Sequence, residues 1–67
     1  MTNHAATSYY HLPTKLYVRE MPQQEDRKHQ VLVFNITGEG TPVDINGASE
    51  HGTPWQQAAH GYLSLRS

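Results

Sequence analysis

Hydrophobic positions in this chain are sparse and fall into a few short runs, the densest being Gln-Val-Leu-Val-Phe-Asn-Ile-Thr at positions 30–37. Five of the six residues from 31 to 36 are apolar, and most of them are β-branched or aromatic. The run is too short for a typical helix and is closed by Gly38 and Gly40, so it predicts a strand. Alternation sends Leu32, Phe34 and Ile36 to one face and Val31, Val33 and Asn35 to the other. Both faces are largely apolar, and the expectation is a central strand covered on each side.

Positions 15–21 alternate more cleanly. Leu16 and Val18 point one way, Lys15, Tyr17, Arg19 and Met21 the other, as in a half-buried strand. Upstream, Tyr9, Tyr10 and Leu12 precede Pro13, which holds its predecessor extended and allows a short edge strand at 9–12. Residues 1–8 are small and polar, with nothing whose burial would offset the entropy of ordering them, and are expected to be flexible. Between the two main strands, every residue from 23 to 29 is polar or charged. A solvated loop joining an antiparallel pair accounts for this, with Glu25 and Asp26 nearly cancelled by Arg27 and Lys28.

After Thr37 the chain reads Gly38-Glu39-Gly40-Thr41-Pro42, then Val43-Asp44-Ile45, then Asn46-Gly47. Asn-Gly is a strong hairpin signal, but Ala48-Ser49-Glu50 beyond it makes a poor strand, so a short extended piece at 43–45 and a turn are expected. The glycines do not form a phosphate loop, because neither Gly-Lys-Ser/Thr nor the GxGxxG spacing is present.

The sharpest local signature is Thr53-Pro54-Trp55-Gln56. A hydroxyl at N-cap, proline at the first helical position and glutamine at the third make a capping box with a proline start. Beyond it Trp55, Ala58, Ala59, Tyr62 and Leu65 share one stripe with Leu63 at its border, while Gln56, Gln57, His60 and Ser64 lie opposite. Gly61 interrupts this pattern and opens an alternative, a helix ending at His60 followed by a strand at 62–66. The continuous helix is the preferred reading because the stripe survives the glycine. Together these elements predict an α+β domain over residues 9–67: a small antiparallel sheet of two to four strands with one C-terminal amphipathic helix packed on it.

Composition narrows what such a domain does. Sixty-seven residues without a cysteine exclude disulfides and thiolate metal sites. Below roughly 70 to 80 residues a single core rarely supplies more than ~3 to 5 kcal/mol, so a partner or a second copy of the chain would add to stability. A net charge of −1 gives no drive toward a polyanion. No apolar run approaches the ~18 residues of a membrane span, and the start lacks the basic and apolar regions of a signal peptide, which makes a cytoplasmic location the expectation. Asn35-Ile36-Thr37 matches a glycosylation pattern but lies inside a predicted strand.

Five histidines raise the question of a metal. Their spacing fits no ligand pattern, and convergence of His51 and His60 with Glu50 or Asp44 would depend on the fold alone. No serine lies in a nucleophile elbow, the one adjacent carboxylate pair sits in the polar loop, and the core is small for a water-excluding pocket. Neither enzyme nor cofactor is expected. Lys15, Tyr17 and Arg19 on one strand face, with Tyr9 or Tyr10 nearby and Arg66 at the rim, would suit single-stranded nucleic acid. Tyrosine, tryptophan, methionine and arginine are also the residues that anchor protein interfaces. The sequence therefore favours a non-enzymatic protein-binding module of accessory, adaptor or inhibitor type, in keeping with a phage- or plasmid-encoded factor, that docks on a larger protein. Its expected contact residues are Tyr10, Tyr17, Arg19, Met21, Arg27 and Lys28, a homodimer is a further expectation, and nucleic acid is the alternative partner.

Overall fold

A computed structural model describes residues 8–20 and 29–66. It contains strands Tyr9–His11 (β1), Leu16–Glu20 (β2), Gln30–Phe34 (β3) and Gly40–Asp44 (β4), a 3-10 turn at Ile45–Gly47, and helix Pro54–Arg66 (α1). The strands form one antiparallel sheet in the order β1-β2-β3-β4, so each lies beside its neighbour in sequence. Tyr10 pairs with Tyr17, Tyr17 with Phe34 and Phe34 with Gly40, which fixes one continuous row across the sheet. A second row runs Arg19, Leu32, Pro42. This is the expected α+β architecture.

Leu16 and Val18 of β2, Val31 and Val33 of β3 and Val43 of β4 are buried together with Ala58 and Ala59 of α1. Tyr9, Ile45, Ala48, Trp55 and Tyr62 pack around this centre. The largest fully buried side chains are valines, so the core is thin, and the helix residues buried completely are the alanines Ala58 and Ala59. Gly61 extends that contact. A Cβ there would fall 2.6 Å from His11 Cδ2 and 3.1 Å from Tyr9 Oη, so a bare backbone is what lets α1 lie against β1. At the same level the Tyr62 hydroxyl donates to the Glu20 carboxylate. The helix is continuous through Gly61, and the alternative strand at 62–66 is not formed.

Both turns at one end of the sheet are built by side chains. Between β3 and β4, Asn35 Oδ1 accepts from the backbone N–H groups of Thr37 and Glu39 at 3.0 Å each. Gly38, at φ 94°, completes a three-residue loop of the type I plus bulge kind. The expectation of a strand reaching Thr37 is corrected here: Asn35 diverts its amide and carbonyl to Glu39 and Gly38, and Ile36 sits on the loop, 82% exposed. Between β1 and β2, Leu12, Pro13, Thr14 and Lys15 form the turn, and Lys15 takes a positive φ of 61°. Lys15 is therefore a turn residue and not the first residue of β2. The extended piece expected at 43–45 starts earlier, at Gly40, and ends at Asp44, whose carboxylate accepts from Asn46 N–H at 2.8 Å. Gly47 lies in the 3-10 turn and does not take the positive φ of a type I′ hairpin.

The capping box forms as the sequence specifies. Gln56 N–H donates to Thr53 Oγ1 at 3.2 Å and Thr53 N–H to Gln56 Oε1 at 2.9 Å. Gln56 also reaches back to the Gly47 carbonyl at 2.8 Å, fastening the connector to the first turn of the helix. Thr53→Ala is expected to cost about 1 kcal/mol, a fall in Tm of roughly 4 to 8 °C for a domain of this size, measured by thermal unfolding followed at a helix-sensitive wavelength.

Candidate functional site

Because α1 covers only the face bearing Val18 and Val33, the opposite face of the sheet is bare among the described residues. Tyr10, Tyr17, Arg19, Leu32, Phe34 and Pro42 lie on it by alternation from the buried valines. The expectation that β3 is covered on both sides is thus corrected. Both faces of β3 are apolar, but α1 packs on the valine side, and Leu32 and Phe34 are left half-buried on the other.

The bare face is ordered by contacts among its own rings. Tyr10 and Tyr17 have centroids 4.9 Å apart, and Tyr17 stacks on Phe34 at 5.5 Å with planes 16° apart. The Arg19 guanidinium lies 5.4 Å from the Phe34 centroid and donates from Nη2 to Ser8 Oγ at 3.0 Å. Ring pairs of this kind contribute about 0.5 to 1.5 kcal/mol beyond their burial, and an exposed cation–π contact about 0.5 to 1 kcal/mol. These side chains are therefore positioned in advance of any partner. Tyr10 remains 42% exposed. At the end of the sheet nearest this aromatic row, the two turns display Leu12 and Ile36, 72% and 82% exposed.

Of the expected contact residues, Tyr10, Tyr17 and Arg19 come together on this face. Met21, Arg27 and Lys28 lie outside the described residues, as does the expected flexible start apart from Ser8. Leu32, Phe34, Pro42, Leu12 and Ile36 were not singled out from the sequence. For Leu32 and Phe34 the signal was the register with Arg19 and Tyr17, which the alternation of β3 contains once β2 is known to be its partner, and Pro42 follows from its pairing with Leu32. Of the set suggested for nucleic acid, Tyr10 lies beside Tyr17 with Arg19 on the same face, whereas Lys15 sits in the turn, Tyr9 faces the helix with its ring 5.9 Å from that of Tyr62, and the Arg66 side chain lies outside the described residues.

On the helix side, His51 and His60 do converge on Glu50. His51 Nε2 is 3.2 Å from Glu50 Oε2 and His60 Nε2 is 4.0 Å from Oε1, while Asp44 is engaged with Asn46. Among the described residues no group of three or more histidines and carboxylates is arranged to hold a metal ion. No helix among them is long and apolar enough to cross a membrane.

No protein-family model, curated protein sequence or solved structure matches this chain.

His11 links the helix to the sheet edge. Its Nδ1 is 2.7 Å from Thr14 Oγ1, and its ring lies where a Cβ on Gly61 would stand. Burial against the helix, and then the neighbouring His60, hold its pKa below the ordinary 6.5. The unfolded chain therefore takes up this proton first as pH falls. The associated stability is present above about pH 6.5 and declines as pH drops from there toward the lower folded value. Urea midpoints are expected to fall between about pH 7.5 and about pH 5.5, and His11→Gln to flatten that slope.

Proposed function

We propose that this protein is a non-enzymatic binding module, acting as an accessory, adaptor or inhibitor, that docks on a larger protein through the uncovered face of its sheet. The observation that supports this reading is the pre-ordered row Tyr10, Tyr17, Phe34 with Arg19 laid against it, on the side that the helix leaves bare. Tyrosine, phenylalanine and arginine held in one place are the composition of an interface centre, and their prior ordering lowers the entropy lost on docking. The face is a better docking surface than the sheet edges. β4 carries Pro42, which has no N–H to offer an added strand, and β1 is only three residues long.

A single-stranded nucleic acid would need free ring faces for its bases and spare cations for its phosphates. Tyr17 and Phe34 are stacked on each other, Arg19 lies over Phe34, and the chain carries a net charge of −1. These features favour a protein partner.

The test is affinity capture from the native host with the wild-type chain, Tyr17→Ser, Arg19→Glu and, as a control on the exposed side of the helix, Ser64→Ala. A larger protein retained by the wild type and by Ser64→Ala, and lost with both face variants, is the expected result. Retention indifferent to Tyr17 and Arg19 would reject the assignment, and recovery of nucleic acid alone would transfer the face to the other class of partner.

A further inference from the structure

We infer that Asn46-Gly47 is a site of spontaneous covalent modification, where the Asn46 side chain loses ammonia, takes up water and leaves the backbone partly converted to isoaspartate. The inference is independent of the docking reading. Neither the buried core nor the aromatic row makes use of this dipeptide, although its residue types mark a turn. The reaction needs an asparagine side chain that can rotate, a following nitrogen that is not shielded, and a backbone that can leave its folded conformation.

All three are met at this turn. Asn46 is exposed; its backbone N–H donates to Asp44 Oδ1 at 2.8 Å, while its side-chain amide has no hydrogen-bond partner among the described residues. Gly47 has no Cβ beside its nitrogen, and the place where one would stand is 3.9 Å from the nearest atom, Gln56 Nε2. The two residues lie in one turn of 3-10 helix, a form with poorly directed hydrogen bonds, and Ala48 N–H closes it on the Ile45 carbonyl at 3.3 Å. Opening so short a segment costs much less than unfolding the domain. Asn35 is the contrast. Its Oδ1 accepts from Thr37 N–H and Glu39 N–H at 3.0 Å each and from Thr37 Oγ1 at 2.6 Å, and the β-branched Ile36 follows it.

In the first step the Gly47 nitrogen bonds to Asn46 Cγ, and the side-chain nitrogen leaves as ammonia with the proton that Gly47 gives up. Water then opens the resulting five-membered imide. Attack at Cγ restores the normal backbone as aspartate, whereas attack at the main-chain carbonyl carbon routes the backbone through Cβ and Cγ as isoaspartate. Either product adds a carboxylate two residues from Asp44. Only isoaspartate lengthens the main chain, and it does so beside the Gly47 carbonyl that accepts from Gln56 Nε2 at 2.8 Å. Gln56 is also the capping partner of Thr53, so the lengthened turn loosens the start of α1.

Incubation of the full chain at neutral pH and physiological temperature tests this, followed by peptide mass spectrometry with electron-transfer fragmentation to distinguish isoaspartate from aspartate. Conversion at Asn46 is expected to run at least about tenfold faster than at Asn35, with both products present. Gly47→Ala should slow it at least about tenfold. That variant retains the fold, because Gly47 has no positive φ and the added Cβ makes only ordinary contacts. Asn46→Asp supplies the new charge on an unaltered backbone. The separated isoaspartate form is expected to unfold at lower urea than Asn46→Asp and to exchange amides faster in the first turn of α1. Conversion at Asn46 no faster than at Asn35, or equally fast in Gly47→Ala, overturns the assignment of the site. An isoaspartate form as stable as Asn46→Asp overturns its coupling to the helix.

Discussion

Gly40→Ala is expected to destabilise the protein by about 2 to 3 kcal/mol, although Gly40 is exposed on an edge strand where most substitutions change stability by less than about 0.5 kcal/mol. The reason is a close approach of backbones. A Cβ at this position would stand 2.4 Å from the Val33 carbonyl oxygen and 2.6 Å from Phe34 Cβ. Gly40 does not adopt a positive φ, so the cost is steric rather than conformational. Neither contact is with the end of a flexible side chain, and relief requires β4 to move away from β3. Against a total of ~3 to 5 kcal/mol for a core of this size, the variant would lose roughly two fifths or more of its stability. Urea unfolding gives the value. Amide exchange should show the loss concentrated in the hairpin formed by β3 and β4, and a neutral result would mean that the two strands do not meet at this distance.

Ala58→Leu is expected to cost about 3 kcal/mol, lowering Tm by roughly 12 to 24 °C. Ala58 and Ala59 are fully buried where the helix lies on Val18, Val31 and Val33, and α1 also approaches β1 at Gly61 without an intervening side chain. Three added carbons have no space there unless the helix lifts, which also pulls Tyr62 from Glu20 and Gly61 from His11. Leu65 provides the contrast. It belongs to the same sequence stripe but is 70% exposed, and Leu65→Ala should change stability by less than about 0.5 kcal/mol. Thermal unfolding of the two variants side by side checks both values.

The outcome at Leu65 illustrates how far the sequence can be read. Alternation placed Leu16 and Val18 in the core and Tyr17 and Arg19 away from it, because β2 has one apolar face and one mixed face. The capping box at Thr53 and the persistence of the helix through Gly61 were legible for a similar reason, since each rests on neighbours in sequence. The choice of face on β3 was not legible. Val31 and Val33 are no more apolar than Leu32 and Phe34, and the decision is made by the packing of a helix more than twenty positions away. The end of β3 was obscured by Ile36, whose apolar character suggested a strand position, while Asn35 and Gly38 together specify a turn. Asn46-Gly47 marked a turn, as its weak flanks suggested, and Asp44 opens it as a 3-10 turn by accepting from Asn46 N–H. The candidate surface was visible in part for the same physical reason. Tyr10, Tyr17 and Arg19 were recognised from residue type, but Phe34 and Leu32 join them only through strand pairing.

The Glu50, His51 and His60 group shows the complementary case, in which the fold brings residues together without the sequence requiring it. His51 and Glu50 are largely exposed and His60 partly so, and their contacts suit a solvated surface of the connector and helix. Exposed pairs of this kind contribute little to stability. The structural weight of the histidines falls on His11, at the point where the helix touches the sheet edge.

The most direct measurement is site-specific photo-crosslinking in the native host. A photoreactive phenylalanine analogue is placed at Tyr10 on the bare sheet face and, in a separate sample, at Ser64 on the exposed side of α1. Adducts to a larger protein from position 10, and none from position 64, are the expected result. Adducts from position 64 alone, or nucleic acid as the species labelled from position 10, would contradict the assignment of the sheet face to a protein partner.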